Sequence, residues 1–403
     1  MVAQGGSRGF GGLLPLVAVV VFVETLFFTA ITPLLPHYVA TLHLTKSGAG
    51  VLVAAYPVGT LVSAVPSGAF AGRAGVKAAV VAGLALMSAA TLVFGLGRTE
   101  VVVDLARFAQ GVGGSLIWAG GLAWLAAAAP PQRRAAALGS AFGAAVAGAM
   151  VGPAVGAVAS RFGTRPAFAA ATIAGLCLIV ATLAVPSQRS DESPSLRHAV
   201  RALRDLRLGA GLWLTFLAGL AFGTVNVLAP LRLSRLGAGA LLIGATFLAA
   251  AAVETAAAPV IGRIADRRGR RLPVTVAVAA AIAASVLIPF ATPAAVLVIV
   301  LVAGLPAYGA LYVPAFALAS DGAQRRRLHQ SLAFGLSNFA WAGGQAAGSA
   351  GGGALAQAVG DALPFAVLGT AFAVTLAMLS PAGRRVVSRV FAGATDGGRA
   401  VTA

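Results

Sequence analysis

Two carboxylic acids stand where acids are rare. Of eleven acidic side chains in 403 residues, Glu24 and Glu254 fall well inside long apolar runs, "LLPLVAVVVFVETLFFTAITPLLP" and "AAAVETAAAPVIG". An ionisable group in such a run is costly to keep, so it is there to carry a proton, to meet a cation, or to make a buried hydrogen bond to a neighbouring helix. One carboxyl group can do the first two jobs in turn: ionised it attracts a cation, and protonated it lets the cation go. For Glu254, about two turns from a basic loop, a structural bond competes with proton carriage. Arg107, in "RFAQGVG", is a third charge at depth, and Asp104 one turn earlier offers it a local ion pair as the alternative to a part in proton coupling. Gln110, Asn226, Tyr308, Tyr312, Asn338 and Gln345 can each face a substrate or bridge two helices.

Other chemistries find no footing. No strand leads into a glycine-rich phosphate loop, and His37, His43, His198 and His329 are scattered without metal-ligand spacing, so neither an enzyme nor a metal or cofactor site is expected. Cys177 is the single cysteine, which excludes an intramolecular disulfide and leaves it a packing role.

The elements that position the acids follow from composition. With 59% hydrophobic residues and a mean hydropathy of +0.92, the chain belongs in a membrane. Apolar runs of about 20 residues, enough to cross a bilayer core as a helix, recur along it. They give an all-α membrane protein of about 12 spans, the first at 12–35, the tenth at 294–319 and the eleventh at 329–352. A cleaved secretory signal is disfavoured, because the first run continues through Glu24 and ends at "PLLPHY" without a small-residue cleavage site.

The net charge of +18 is distributed by topology. Arg8, Arg73, Lys77, Arg133, Arg134, the arginines of 189–207 and 263–271, Arg325 to Arg327 and the basic tail fall in alternate loops. Fewer basic residues (Lys46, Arg98, Arg161, Arg165, Arg232, Arg235) fall in the loops between. This bias places both termini in the cytoplasm and the chain in the cell's inner (plasma) membrane as a multi-pass protein. Anionic lipid, not nucleic acid, is the partner for its basic surface.

Two halves are expected: residues 1–186, a cytoplasmic linker 187–208, and residues 209–403 ending in a cytoplasmic tail. The linker "PSQRSDESPSLRHAVRALRDLR" is too polar for hydrocarbon, and Leu196, Val200, Leu203 and Leu206 give it a short amphipathic helix on the inner surface. The halves repeat each other. "PQRRAAALGSAFGAAVAGAMVGPAVG" from Pro131 aligns with "AQRRRLHQSLAFGLSNFAWAGGQAAG" from Ala323, and Gln132, Arg133, Arg134, Phe142, Gly143, Gly152 and Gly156 find identical partners. Likewise "GAFAGRAGVK" from Gly68 corresponds to "GRIADRRGRR" from Gly262.

The second of these decapeptides, with Gly262, Asp266, Arg267, Gly269 and Arg270, resembles the signature loop of the major facilitator superfamily, and six helices per half extend the resemblance over essentially the whole chain. The first copy keeps Gly68, Arg73 and Gly75 but has Gly72 and Val76 where the family has aspartate and arginine. Arg107, Gln110, Gly111 and Gly113 resemble the family's fourth-helix motif. Gly148, Gly152, Pro153 and Gly156 resemble the fifth-helix motif of its 12-helix drug:proton antiporters, the multidrug efflux branch.

The resemblance implies a monomeric, proton-coupled exporter of small drug-like or cationic lipophilic molecules, working by alternating access, with no cofactor. Glu24-x8-Pro33-Leu-Leu-Pro36 further resembles the first helix of vesicular amine transporters, which implies cation contact by Glu24. Thr25 replaces an asparagine there, so amine selectivity does not transfer. A sugar, amino-acid or other metabolite transporter on the same fold is the nearest alternative, and a non-transporting membrane receptor or scaffold the next.

Physical reasoning adds two expectations. Gly262 to Arg271 reads as an inner-surface latch, with Asp266 facing the positive end of a neighbouring helix. Glycines at 148, 152 and 156 make a flat stripe for close helix packing, tighter than at Gly83, while Pro153 removes a backbone donor.

Overall fold

The computed structural model of the chain describes residues 5–130, 132–186, 203, 205–268, 271–326 and 330–379. Among them every regular element is a helix, as a chain in hydrocarbon requires: without water, each backbone N–H and C=O must be bonded within its own segment. The first half comprises α1 (Gly5–Thr29), α2 (Leu35–Leu42), α3 (Lys46–Ala74), α4 (Val76–Leu96), α5 (Glu100–Ala128), α6 (Arg134–Phe162) and α7 (Thr164–Ala184). The second comprises α8 (Leu206–Arg235), α9 (Ala240–Arg268), α10 (Arg271–Leu287), α11 (Ala294–Gly309), α12 (Tyr312–Arg325), α13 (Gln330–Ala358) and α14 (Ala362–Leu379).

Local chemistry sets the helix ends. The Thr45 hydroxyl accepts from Gly48 N–H at 3.1 Å to open α3, and Asp205 accepts from Arg207 and Leu208 N–H to open α8. Lys77 Nζ donates to the carbonyls of Leu183 and Val185, both at 2.7 Å, closing α7. A single residue joins α3 to α4 and another joins α6 to α7. The two turns need φ of 97° and 92°, and Gly75 and Gly163 supply it.

Eleven segments of the described residues are long and apolar enough to cross a membrane. The eleventh expected span, 329–352, is not among them, although α13 is a full 29-residue helix there. Its glycines, serines, Asn338 and Gln345 dilute its hydropathy, and one of its faces, with Ser337, Gly344, Gln345, Gly348 and Ser349 buried, lies against α8 and α3. The first expected span reaches further than 35. It breaks after Thr29, makes a 3-10 turn at Thr32–Leu34 around Pro33, and resumes as α2 to Leu42. The tenth is also broken, between Gly309 and Tyr312, just after Pro306.

The basic decapeptides hold a further correction. Gly68 to Arg73 belong to α3, and Gly262 to Arg268 continue α9 as helix, so neither stretch is loop throughout. The glycines at 68, 72 and 262 have open space around them, which lets the helix run on unhindered. Arg73 and Arg267 are exposed. Gly269, Arg270 and the Asp266 carboxylate, the centre of the expected latch, lie outside the described residues, as do the amphipathic helix expected in the linker and the basic tail.

Within the halves, α1 packs on α6, α5 on α3 and α4, and α7 on α4; α8 packs on α12 and α13, α9 on α11, and α10 on α14. α7 turns Ile173, Leu176, Val180 and Leu183 outward, an apolar face suited to lipid. Cys177 is exposed on this helix, so the packing role expected for it is not what the structure gives.

The halves meet through α3 with α13 and α6 with α9. At the first contact Gly50 and Gly353 lie back to back: a Cβ on Gly50 would stand 3.1 Å from the Gly353 Cα. At the second, a Cβ on Gly244 would come within 2.7 Å of the Pro153 carbonyl oxygen. Next to the first contact, Lys46 of α3 reaches across to Asp361 at 2.5 Å, and its backbone N–H donates to Gln357. Arg235 also bonds Asp361, with Arg232 3.9 Å away.

Burial raises the Asp361 pKa, but the hydrogen bonds and charges of Lys46 and Arg235 outweigh it and hold the carboxyl below its ordinary value. This stabilisation is complete above the ordinary carboxylate range and is lost as pH falls through the lowered pKa. Asp361→Asn leaves the three cations without their shared anion. A loss on the order of 1–2 kcal/mol is expected, read as a lower melting temperature at neutral pH that converges with the parent's in acid.

Candidate functional site

Glu24 lies on α1 and is 4% exposed. Three neutral donors hold its carboxylate. The Tyr56 hydroxyl donates to Oε1, Trp118 Nε1 donates to Oε2 at 3.0 Å, and the Thr25 hydroxyl donates to Oε2 at 2.9 Å. Hydrogen bonds to an ionised acceptor are worth about 1.5–3 kcal/mol each, so these donors favour the charged form, while the surrounding apolar packing opposes it.

Sequence reasoning does not single out Tyr56, Trp118 or Gly114, yet helical spacing carries the signal. Arg107, Gln110, Gly114 and Trp118 follow one another at intervals of three or four residues on α5, which puts them on one face. Gly114 is small because the Glu24 Oε1 would lie 2.8 Å from any Cβ there. On α3, Tyr56, Thr60, Ser63 and Ser67 make a matching buried stripe.

Arg107 is 2% exposed and does not pair with Asp104. Its guanidinium donates from Nη1 to Gln110 Oε1 at 2.9 Å and from Nη2 to the Phe28 carbonyl at 3.2 Å. It lies over the Tyr56 ring at 5.1 Å, with Phe28 and Phe94 at 5.9 and 6.0 Å. Gln110 in turn donates to the Thr91 hydroxyl at 3.0 Å. Tyr56 therefore touches both charges, with its hydroxyl on Glu24 and its ring against Arg107.

The fifth-helix stripe bears on the same helix as Glu24. A Cβ on Gly148 would strike the Phe22 carbonyl, one on Gly152 the Leu26 carbonyl and the Thr29 hydroxyl, and one on Gly156 the Ala30 carbonyl. The second half repeats the arrangement: Gly344 and Gly348 of α13 lie on the carbonyls of Phe216 and Leu220 of α8. Gly83 is close-packed too, less tightly than the stripe: a Cβ there would meet the Gly113 carbonyl at 2.6 Å, and those on Gly148, Gly152 and Gly156 would come closer still to their nearest atoms. Close glycine contacts join α4 to α5 as well.

This pairing of α1 with α6 and α8 with α13 is the geometry of a duplicated helical bundle, and the superfamily model described as Major Facilitator Superfamily matches residues 17–349. The chain belongs to the Major Facilitator Superfamily. It is a multi-pass membrane transporter rather than an enzyme.

Among curated relatives, Multidrug resistance protein 2 of Bacillus subtilis (strain 168) is 30% identical over 179 residues, 44% of this chain and 44% of that protein. Quinolone resistance protein NorA of Staphylococcus aureus (strain MRSA252) is 29% identical over 115 residues, 28% of this chain and 30% of NorA. The matched stretches thus span less than half the length of these relatives. Two solved structures share the fold. A bacterial homolog of the human lysosomal transporter Spinster, inward-facing and unoccupied, has a TM-score of 0.68 at 14% identity over 95% of this chain and 96% of its own. The nucleoside transporter NupG has 0.70 at 12% identity over 91% and 98%.

The transporter's other candidate residues sit apart from Glu24. Tyr308 is buried among α10, α11 and α14, where its hydroxyl meets Ser285 at 3.0 Å and its ring stacks on Phe372; it bridges helices. Gln345 is buried against Gly219 and Gly223 of α8, and Asn226 and Asn338 are half-buried. Glu254, half-buried on α9, rests against Gly309 at the break of the tenth span.

Tyr312 belongs to a line of rings that joins the halves. It stacks at 6.1 Å on Phe316, which meets Phe142 at 6.3 Å, which meets Trp118 at 5.3 Å. A second line runs from Tyr56 through Phe28 to Trp341, at 4.7 and 5.5 Å.

Proposed function

We propose that the transporter exports cationic or lipophilic small molecules in exchange for protons, with Glu24 shared between the two. The observation that carries this reading is a buried carboxylate held only by neutral hydrogen-bond donors, beside rings that lead into the other half. Because, among the described residues, no lysine or arginine pairs with it directly and Arg107 acts on it only across the Tyr56 ring, a substrate cation or a proton can neutralise it, and each excludes the other. The faces of Trp118 and Phe142 suit a flat or quaternary cation by cation–π attraction. The resemblance to drug-resistance relatives points the same way.

Coupling follows from what α1 touches. Protonation removes the charge to which Tyr56, Trp118 and Thr25 donate, and Tyr56 passes the change to Arg107, which is tied to the Phe28 carbonyl. α1 is seated on the glycine stripe of α6, and α6 meets the second half at Gly244, so a small shift of α1 bears on a contact between the halves. Residues 1–186 and 209–403 are the units that rock, joined by 187–208. In this reading the termini face the cytoplasm, the Lys46–Asp361 contact closes the outer side, and the chain works as a monomer in the plasma membrane.

Inside-out vesicles provide the test. Adding a lipophilic cation should release protons from the lumen in proportion to cation uptake, whereas sugars and amino acids should not. Proton movement driven by a sugar or an amino acid, with none driven by cations, would favour the metabolite reading instead.

A further inference from the structure

The acid of the second half has surroundings of its own. Gly309 is the last residue of α11, and the Glu254 carboxylate occupies the space where a Cβ would stand. At this break the Pro306 and Tyr308 carbonyls are taken by the Ala310 and Leu311 N–H groups, and α12 opens directly after Leu311, so the carboxylate rests beside a helix flank; a half-buried carboxylate in that position is favoured in its charged form by a cation beside it. Among the described residues no lysine or arginine lies within 4.0 Å of Glu254, nor of Glu24. Tyr312 opens α12 just beyond the break, three residues after Gly309.

The line of rings that begins beside Glu24 at Trp118 ends at Tyr312, and the line through Tyr56 also crosses into the second half, at Trp341. The two intramembrane acids thus sit in opposite halves, at opposite ends of an aromatic path. We infer that Glu254, Gly309 and Tyr312 form a second cation subsite, and that the preferred substrates are dications whose two positive groups are separated by an apolar, ring-bearing body. One charge lies at Glu24, the rings of the substrate lie along Trp118, Phe142 and Phe316, and the other charge lies at the Glu254 carboxylate, against Gly309 and Tyr312. Gly309 is the positioning residue, since any larger side chain pushes the carboxylate out of the break. This inference rests on the cation reading of Glu24 and adds the second charge to it.

The test is binding to the purified full-length transporter in nanodiscs, by calorimetry. The probes are biaryl compounds with a trimethylammonium group at one end or at both, each made at three linker lengths. At the best length the dication should bind about tenfold tighter than its monocation. Glu254→Gln should erase that preference, Glu254→Asp should keep part of it, and Gly309→Ala should shrink it. Glu24→Gln should weaken both probes. No preference at any length, or a preference that persists in Glu254→Gln, overturns the second subsite; monocation binding that still depends on Glu24 would then leave the single-site reading standing. If the parent binds neither probe, both fall together.

Discussion

Glu24→Gln is expected to abolish proton-driven export of cationic substrates, a loss of at least about tenfold against the parent, which corresponds to about 1.4 kcal/mol or more. The substitution keeps a side chain of the same size that can still accept from Tyr56, Trp118 or Thr25, so folding and membrane insertion should be retained. What it removes is the charge, and with it the ability to alternate between holding a proton and holding a cation. Glu24→Asp keeps the charge but withdraws it by one methylene from donors on α3 and α5, so it should retain part of the activity with an altered pH dependence. Uptake into inside-out vesicles measures both. Survival of neutral substrates alone in Glu24→Gln would mean that the residue recognises charge and the proton is carried elsewhere, with Glu254 next to examine. Export of cations at the parent's rate would leave the carboxylate only a structural role, as acceptor for its three donors.

Much of this architecture is legible in the sequence because the membrane allows few solutions. Long apolar runs must be helices, and acids inside them stand out against a nearly uncharged background; Glu24 and Glu254 needed no structure to be noticed. What surrounds Glu24 was less visible. Tyr56 and Trp118 read as ordinary apolar-run aromatics, and only the coincidence of two stripes on different helices, meeting across Gly114, makes them donors to one carboxylate. Arg107 shows the opposite error. Asp104 is its neighbour in sequence, but the guanidinium turns toward α1 and the rings of Tyr56 and Phe94, a tertiary choice that local spacing does not encode. The helix α13 misleads by composition, since the small and polar residues that seat it closely on α8 and α3 lower the hydropathy that marks its companions. The broken tenth span hides for a related reason: Pro306 announces a disturbance, but a continuous apolar run from 294 gives no sign that the chain stops and restarts at Gly309, where Glu254 rests.

The second large effect is expected at the glycine stripe. In Gly152→Leu the new Cβ would lie 2.7 Å from the Leu26 carbonyl oxygen and collide with the Thr29 hydroxyl, and the rest of the leucine has no free volume between α6 and α1. Overpacking of this kind costs roughly 1–3 kcal/mol when the helices can yield, and yielding here means moving α1 away from α6, one turn beyond Glu24. Turnover should therefore fall at least tenfold with the protein still in the membrane. Gly143→Leu is the control: it lies on the same helix, exposed, with nothing within 4 Å of its Cβ position, and should transport close to the parent rate. Gly83→Leu is unsuitable as a control because it wedges α4 against α5 at the Gly113 carbonyl; it should lower the melting temperature without selectively disturbing the α1–α6 contact. Equal turnover in Gly152→Leu and Gly143→Leu, at equal expression, would mean that α1 does not need its close seat on α6. The route proposed from Glu24 through α6 to Gly244 would then have to be abandoned, leaving the Arg107 and Phe28 side of the site to carry the coupling.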